Sequence, residues 1–154
     1  MPFRPLHPAA VLRAPNQMRK FLADLKYAAE VFNGRAVRSA GETTYTVVKT
    51  DAEAKAAIAR ISRAALVAAD IETTGLHPRT DKILCVGVAV GLNEVVVFPA
   101  EYVGKLAGVL SDPAIRWVWH NGKFDTAFLR AAGYDARVDE DTMLLHYCVT
   151  PEAR

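Results

Sequence analysis

The chain alternates short apolar runs with amphipathic stretches, a pattern that predicts strands and helices in turn. Phe21, Leu22, Leu25, Ala28, Ala29 and Phe32 recur at helical spacing and predict a helix over about 18–32, stopped by Asn33-Gly34. Thr44-Tyr45-Thr46-Val47-Val48 predicts a short edge strand, and Thr50 or Asp51 can cap an alanine-rich helix reaching about Ser62. Four further apolar runs, at 66–71, 83–90, 94–98 and 116–119, read as strands. The short Gly91-Leu92-Asn93 link joins the second and third of these as an antiparallel hairpin. Helices are expected over about 101–110, from near 121–123 to Gly133, and from Asp141-Thr142 onward. Strands paired by short turns, then strands separated by helices, imply an α/β fold whose mixed sheet is flanked by helices. In such sheets chemistry gathers at strand ends and helix starts.

With 154 residues, 51% apolar and 23% charged, the chain has a globular composition and room for one ordinary core. No apolar run approaches the ~20 residues of a membrane span, so no membrane partner is expected. Residues 1–17 hold four of the eight prolines and read as an extended leader without the apolar centre of a signal peptide. Two cysteines, Cys85 and Cys148, make neither a metal-ligand spacing nor a disulfide framework, and the expected location is the cytoplasm. The net charge of +2 hides an asymmetry, because residues 1–40 carry seven basic and two acidic side chains. That basic front is either a surface for phosphate or a solvated helix face. The chain thus divides into a leader plus helix, 1–40, of unassigned role, and a domain over 41–154.

Candidate chemistry starts where strand 66–71 runs into Asp70-Ile71-Glu72-Thr73-Thr74-Gly75-Leu76. Strand alternation puts Asp70 and Glu72 on one face, with Ile71 opposite. Two such carboxylates repel, and a hard divalent cation, Mg²⁺ or Mn²⁺, resolves the conflict. The alternative is a pair of solvated acids at a strand end. A second group, His120-Asn121-Gly122-Lys123-Phe124-Asp125, closes strand 116–119 and places Asp125 in the first turn of a helix. There Asp125 is either a helix-start acid favoured by the dipole or a further metal ligand facing the first pair.

These two blocks resemble the first and second motifs of the DEDD 3′–5′ exonucleases. Asp141-Thr142-Met143-Leu144-Leu145-His146-Tyr147 is similar to a helix start that follows the second motif in proofreading domains of family A DNA polymerases. The blocks lie in order, about fifty and about sixteen residues apart, and the resemblance covers roughly 44–154. It implies a ribonuclease H-like fold, C-terminally incomplete, and removal of 3′-terminal nucleotides by two-metal hydrolysis. It further implies that Asp70, Glu72 and Asp125 are both catalytic and metal-binding, with Asp70 bridging two ions of Mg²⁺ or Mn²⁺. Thr73 and Leu76 would meet the terminal nucleotide, His120 and Asn121 a phosphate or sugar, and Phe124 the penultimate nucleotide. Each has a bland rival: Leu76 and Phe124 as core, His120 as a satisfied strand-end histidine. His146 and Tyr147 read as structural.

The implied substrate is a single-stranded or frayed 3′ end of DNA, with RNA as in ribonuclease D-type enzymes the alternative. The implied partner is a downstream polymerase domain. The family's third motif, Tyr or His followed four residues later by Asp, has no counterpart before Arg154, so the chain is expected to be either a fragment of a longer polymerase or exonuclease or a short protein that has lost or borrows that acid, with weak activity or none. A catalytically silent module for single-stranded nucleic acid, or an interaction domain, are the rival classes.

Overall fold

Two units divide the chain, 1–40 and 41–154, and each is described by itself. In the computed structural model the described residues are 18–33 and 43–149. The first unit contributes one helix, α1 (Met18–Phe32), in which Met18, Leu22, Leu25 and Phe32 are exposed. Its helical spacing is therefore as expected from the sequence, while most of its expected apolar face meets solvent.

In the second unit β1 (Thr44–Val47) leads to α2 (Asp51–Ile61). Thr50 is the N-cap: its side chain accepts from the Glu53 amide at 3.2 Å, and the Glu53 carboxylate reaches back to the Lys49 amide at 2.8 Å. This reciprocal pair satisfies two amides at the helix start. Strands β2 (Leu66–Thr73), β3 (Ile83–Gly91) and β4 (Glu94–Pro99) follow, the last two as the expected antiparallel hairpin. The helix expected over 101–110 is instead three short pieces, α3 (Ala100–Val103), a 3-10 turn (Gly104–Leu106) and α4 (Ala107–Leu110). Gly104 and Gly108 both weaken helical continuity there. Next come β5 (Arg116–Trp119), α5 (Gly122–Ala131), β6 (Glu140–Asp141) and α6 (Thr142–Val149).

The sheet has the order β1-β4-β3-β2-β5-β6, with β1 at one edge. Pairs β1–β4, β2–β5 and β5–β6 are parallel, and β2–β3 and β3–β4 antiparallel. This is the mixed α/β sheet expected from the sequence. Alternation along the strands gives the sheet two unlike faces. Val67, Ala69 and Ile71 of β2, Val86 and Val88 of β3, Val96 and Phe98 of β4, and Trp117 and Trp119 of β5 are all buried. They join Ala54, Ala57 and Ile61 of α2, Leu106 and Leu110, and Phe128 and Leu129 of α5 in one core. The two tryptophan rings stack with centroids 5.9 Å apart, and their indole N–H groups donate to the carbonyls of Val109 and Arg137. Burying both rings is thus compatible with their one polar atom each.

The other face carries Leu66, Ala68, Asp70 and Glu72 of β2, all exposed. Small residues, Ala68, Gly87 and Ala89, floor a groove of about 450 Å³ between Tyr45, Val95 and Val97 at one side and Asp70 and Glu72 at the other. Helix α6 buries none of its residues, and His146 and Tyr147 are exposed.

Candidate functional site

β2 outruns its parallel neighbour. Pairing with β5 ends at Ala68↔Val118, whereas pairing with β3 continues to Thr73. On the β5 side, the Ile71 amide donates to Asp125 Oδ1 at 3.2 Å. Asp125 reaches that point because β5 turns directly into α5, whose first turn carries it. Its carboxylate therefore sits at the backbone between Asp70 and Glu72, 54 residues away in sequence. The structure brings Asp125 to the strand that bears the acid pair.

The environments of the three acids differ sharply. Asp70 and Glu72 are exposed, whereas Asp125 is only 3% exposed. Burial pushes the Asp125 carboxyl up to about 6; its own amide and that of Ile71 oppose the rise, and the charges of Asp70 and Asp141 add to it. Burial disfavours the ionised form, and like charges disfavour it further. Hard carboxylate oxygens at one strand end suit a divalent cation, which would relieve this strain. Their arrangement is nonetheless open: among the described residues no three His, Cys, Asp or Glu side chains gather closely enough to hold an ion. In donor chemistry the residues fit Mg²⁺ or Mn²⁺, but the described part does not close a cage around one.

The turn after β2 is pinned internally. The Thr73 hydroxyl donates to the Gly75 carbonyl at 2.6 Å, and the Thr74 amide and hydroxyl bind the backbone of Lys82. Asp81 Oδ2 accepts from the His77 amide at 2.7 Å, packed so close to Gly75 that a Cβ there would fall 2.5 Å from it. Leu76 stands on this fixed turn with 75% exposure, which removes the core reading of that residue. Phe124 is half-buried, packs on the core and meets Phe128 at 5.0 Å between ring centroids.

The β5–α5 turn is equally fixed. Asn121, exposed, adopts φ 61° and ψ 43°, the left-handed region that Asn tolerates better than most residues. Gly122 follows where a Cβ would lie 2.6 Å from Trp119 Cβ, so only glycine fits. His120 Nδ1 lies 2.9 Å from Thr142 Oγ1, whose own hydrogen goes to the Trp119 carbonyl at 3.1 Å. A hydroxyl has one hydrogen, so His120, itself exposed, donates from Nδ1. The sequence marks Asp141 as part of a helix start and gives Asp81 no role beyond a loop. Here the Asp141 carboxylate accepts four backbone amides, from Asn121, Gly122, Met143 and Leu144. Burial alone would raise its pKa, but these amides together hold it below the ordinary carboxylate range. The only sequence signal was an Asp-Thr pair before an apolar run, which reads as a helix cap.

Comparisons with known proteins agree with this fold. No curated protein matches the chain. Among solved structures it is similar to Trypanosoma brucei RNase D, with TM-score 0.60 and 23% identity over 69% of this chain and 40% of that one. The catalytic core of RRP6 from Trypanosoma brucei gives TM-score 0.54 and 18% identity, covering 64% of this chain and 28% of that one. The Aedes aegypti Nibbler EXO domain gives 0.57 and 13%, covering 70% and 56%. At these identities the likeness speaks for the fold, which is ribonuclease H-like, and the chain spans less than two thirds of each structure. The profile of the 3′–5′ exonuclease family matches residues 45–153. From the two acid-bearing motifs to the helix after Asp141, this chain belongs to the 3′–5′ exonuclease family.

Proposed function

We propose that residues 41–154 carry the acid-bearing part of a site that removes 3′-terminal nucleotides from DNA by metal-assisted hydrolysis, as in proofreading. The observation that carries this reading is the Asp125 carboxylate on the Ile71 amide, between Asp70 and Glu72. Asp70, Glu72 and Asp125 would hold Mg²⁺ or Mn²⁺, which when bound lowers the pKa of an attacking water and stabilises the leaving 3′ oxygen. The residues themselves supply the rest. Asp125 must give up its proton to act as a ligand, which its burial resists below about pH 6. Leu76, held out on a pinned turn, packs against the terminal base. Thr73, with its hydroxyl hydrogen engaged by Gly75, offers the terminal nucleotide an acceptor. His120, through Nε2, and Asn121, through its amide side chain, take a phosphate or sugar oxygen. The half-buried Phe124 ring backs the penultimate nucleotide.

A second reading, an RNA 3′ end as substrate, is favoured by the solved relatives, one of which is a Trypanosoma brucei RNase D in complex with RNA U12. The test uses matched 3′-labelled single-stranded DNA and RNA, with Mn²⁺ or with chelator. Slow metal-dependent loss of the DNA label, abolished in Asp70→Ala and Asp125→Asn, is the expected result. Faster loss of the RNA label would replace the substrate. Salt-sensitive binding without cleavage would make the chain a silent binding module, and neither binding nor cleavage would sink the proposal.

A further inference from the structure

Among the described residues, Asp141 stands out because its carboxylate binds four backbone amides around the site. Its Oδ1 accepts the amides of Asn121 at 3.1 Å, Met143 at 2.9 Å and Leu144 at 3.3 Å, and its Oδ2 accepts Gly122 at 2.8 Å. Two of these donors open α6, where an acid cap is ordinary. The other two belong to the turn that opens α5, and that turn contains the left-handed Asn121. The turn lacks a cap of its own, since Asn121 makes no side-chain hydrogen bond to its helix. Asp141 is brought there by β6, which pairs Trp119↔Asp141 at the end of β5. Among the described residues it is, with Asp125, one of two buried acids, and its charge is felt at Asp125.

We infer that Asp141 is a positioning residue: by gripping Asn121 and Gly122 it fixes where α5 begins, and so holds Asp125 on the Ile71 amide beside Asp70 and Glu72. The start of α5 lies three residues before Asp125, less than one turn, so a displacement there is carried to the carboxylate with little room for damping. A free turn would let Asn121 leave the left-handed region, which costs a non-glycine residue energy. The consequence for metal binding rests on the reading given under Proposed function; the placement of Asp125 does not.

The two oxygens of Asp141 have separate duties, which makes the idea testable with a mild change. Asp141→Asn can keep the oxygen that serves Asn121, Met143 and Leu144 while setting an NH₂ group against the Gly122 N–H. Amide hydrogen exchange then reads the result in metal-free protein. Gly122 and, across the site, Ile71 should exchange at least about tenfold faster, while Met143, Leu144 and the β3 amides of Val86 and Val88 stay protected. An unchanged Ile71 amide beside a deprotected Gly122 would overturn the inference, leaving Asp141 a helix cap only. Should Asp141→Asn fail to fold, native-state exchange of the unaltered chain in low denaturant decides instead: Gly122 and Ile71 should open with one shared free energy, and separate openings would refute the coupling. Mn²⁺ titration of the same proteins should show at least about tenfold weaker binding in Asp141→Asn. If the unaltered chain binds no Mn²⁺, the metal reading falls while the exchange result still judges Asp141.

Discussion

Asp125→Asn should make the metal-free protein more stable, and only above a particular pH. The Asp125 carboxyl is held at about 6 against an ordinary 3.8, mainly by burial. A raised carboxyl binds more protons folded than unfolded between those values, so stability falls as pH climbs through about 4 to 6. Below about 4 both states are protonated and the substitution is close to neutral. At pH 8 the native state keeps a charge it would rather shed. The gap of about 2 units is worth no more than about 3 kcal/mol, and the exposed charge of Asp70 next to it makes solvent screening reduce that figure. Asparagine retains the oxygen that accepts the Ile71 amide, so the substitution removes the charge without orphaning the donor.

The assay is urea or thermal unfolding, followed by circular dichroism in chelator from pH 4 to 8. The stability difference between Asp125→Asn and the unaltered chain should grow from near zero at pH 4, pass its midpoint near pH 5, and level off above about pH 6 at about 1–3 kcal/mol. For a unit of this size that corresponds to a melting shift of roughly 4–15 °C. A difference that is flat with pH, or an Asp125→Asn chain less stable at pH 8, would refute the account of Asp125. Added Mn²⁺ should reverse the order, stabilising the unaltered chain and leaving Asp125→Asn where it was.

Two further substitutions separate packing from function. Gly122→Ala places a Cβ 2.6 Å from Trp119 Cβ, an atom fixed to buried backbone, and should cost about 1–3 kcal/mol, read as a lower urea midpoint with unchanged slope; an unchanged midpoint would mean that the turn has slack the structure does not show. Leu76→Ala removes a side chain that is 75% exposed, so unfolding should move by less than about 0.5 kcal/mol while affinity for a single-stranded 3′ end falls. Unaltered affinity, measured by fluorescence anisotropy, would remove Leu76 from the substrate path.

How much of this was legible in the sequence depended on whether a signal was local. Strands β2 to β5 and the β3–β4 hairpin announce themselves by apolar runs and a short turn, because a buried strand needs several consecutive residues of the right kind. β6 has only two residues, Glu140 and Asp141, and no periodicity can reveal a bridge that short. The pairing of Asp70 with Glu72 is a local matter of strand alternation, and it is readable. That Asp125 lies at Ile71 is a matter of topology, reached through the family resemblance and supplied physically by the β5–α5 turn. The exposure of Leu76 follows from Asp81 closing the turn behind it, a contact that no spacing rule specifies. Least legible was Asp141, whose four amide partners come from two elements that meet only when β6 joins the sheet.

Asp125 also shows why loss of activity alone is a poor guide to a residue's role in such a site. β2 runs on beyond the end of β5, so the amide of Ile71 needs an acceptor that the sheet does not supply on that side. Asp125 fills this backbone need with the same carboxylate that the chemistry would use. Asp125→Ala therefore removes a candidate ligand and orphans a buried amide together, a loss of about 1–3 kcal/mol for the second effect alone. Its inactivity could be due to either. Asp125→Asn keeps the acceptor and discards only the charge, so the two effects come apart: a chain that becomes more stable and yet loses metal-dependent cleavage assigns the carboxylate to the reaction. The structural acceptor and the candidate ligand are one group, and the strain that raises its pKa is what the metal-free protein bears for keeping an acid where an amide would hold the fold better.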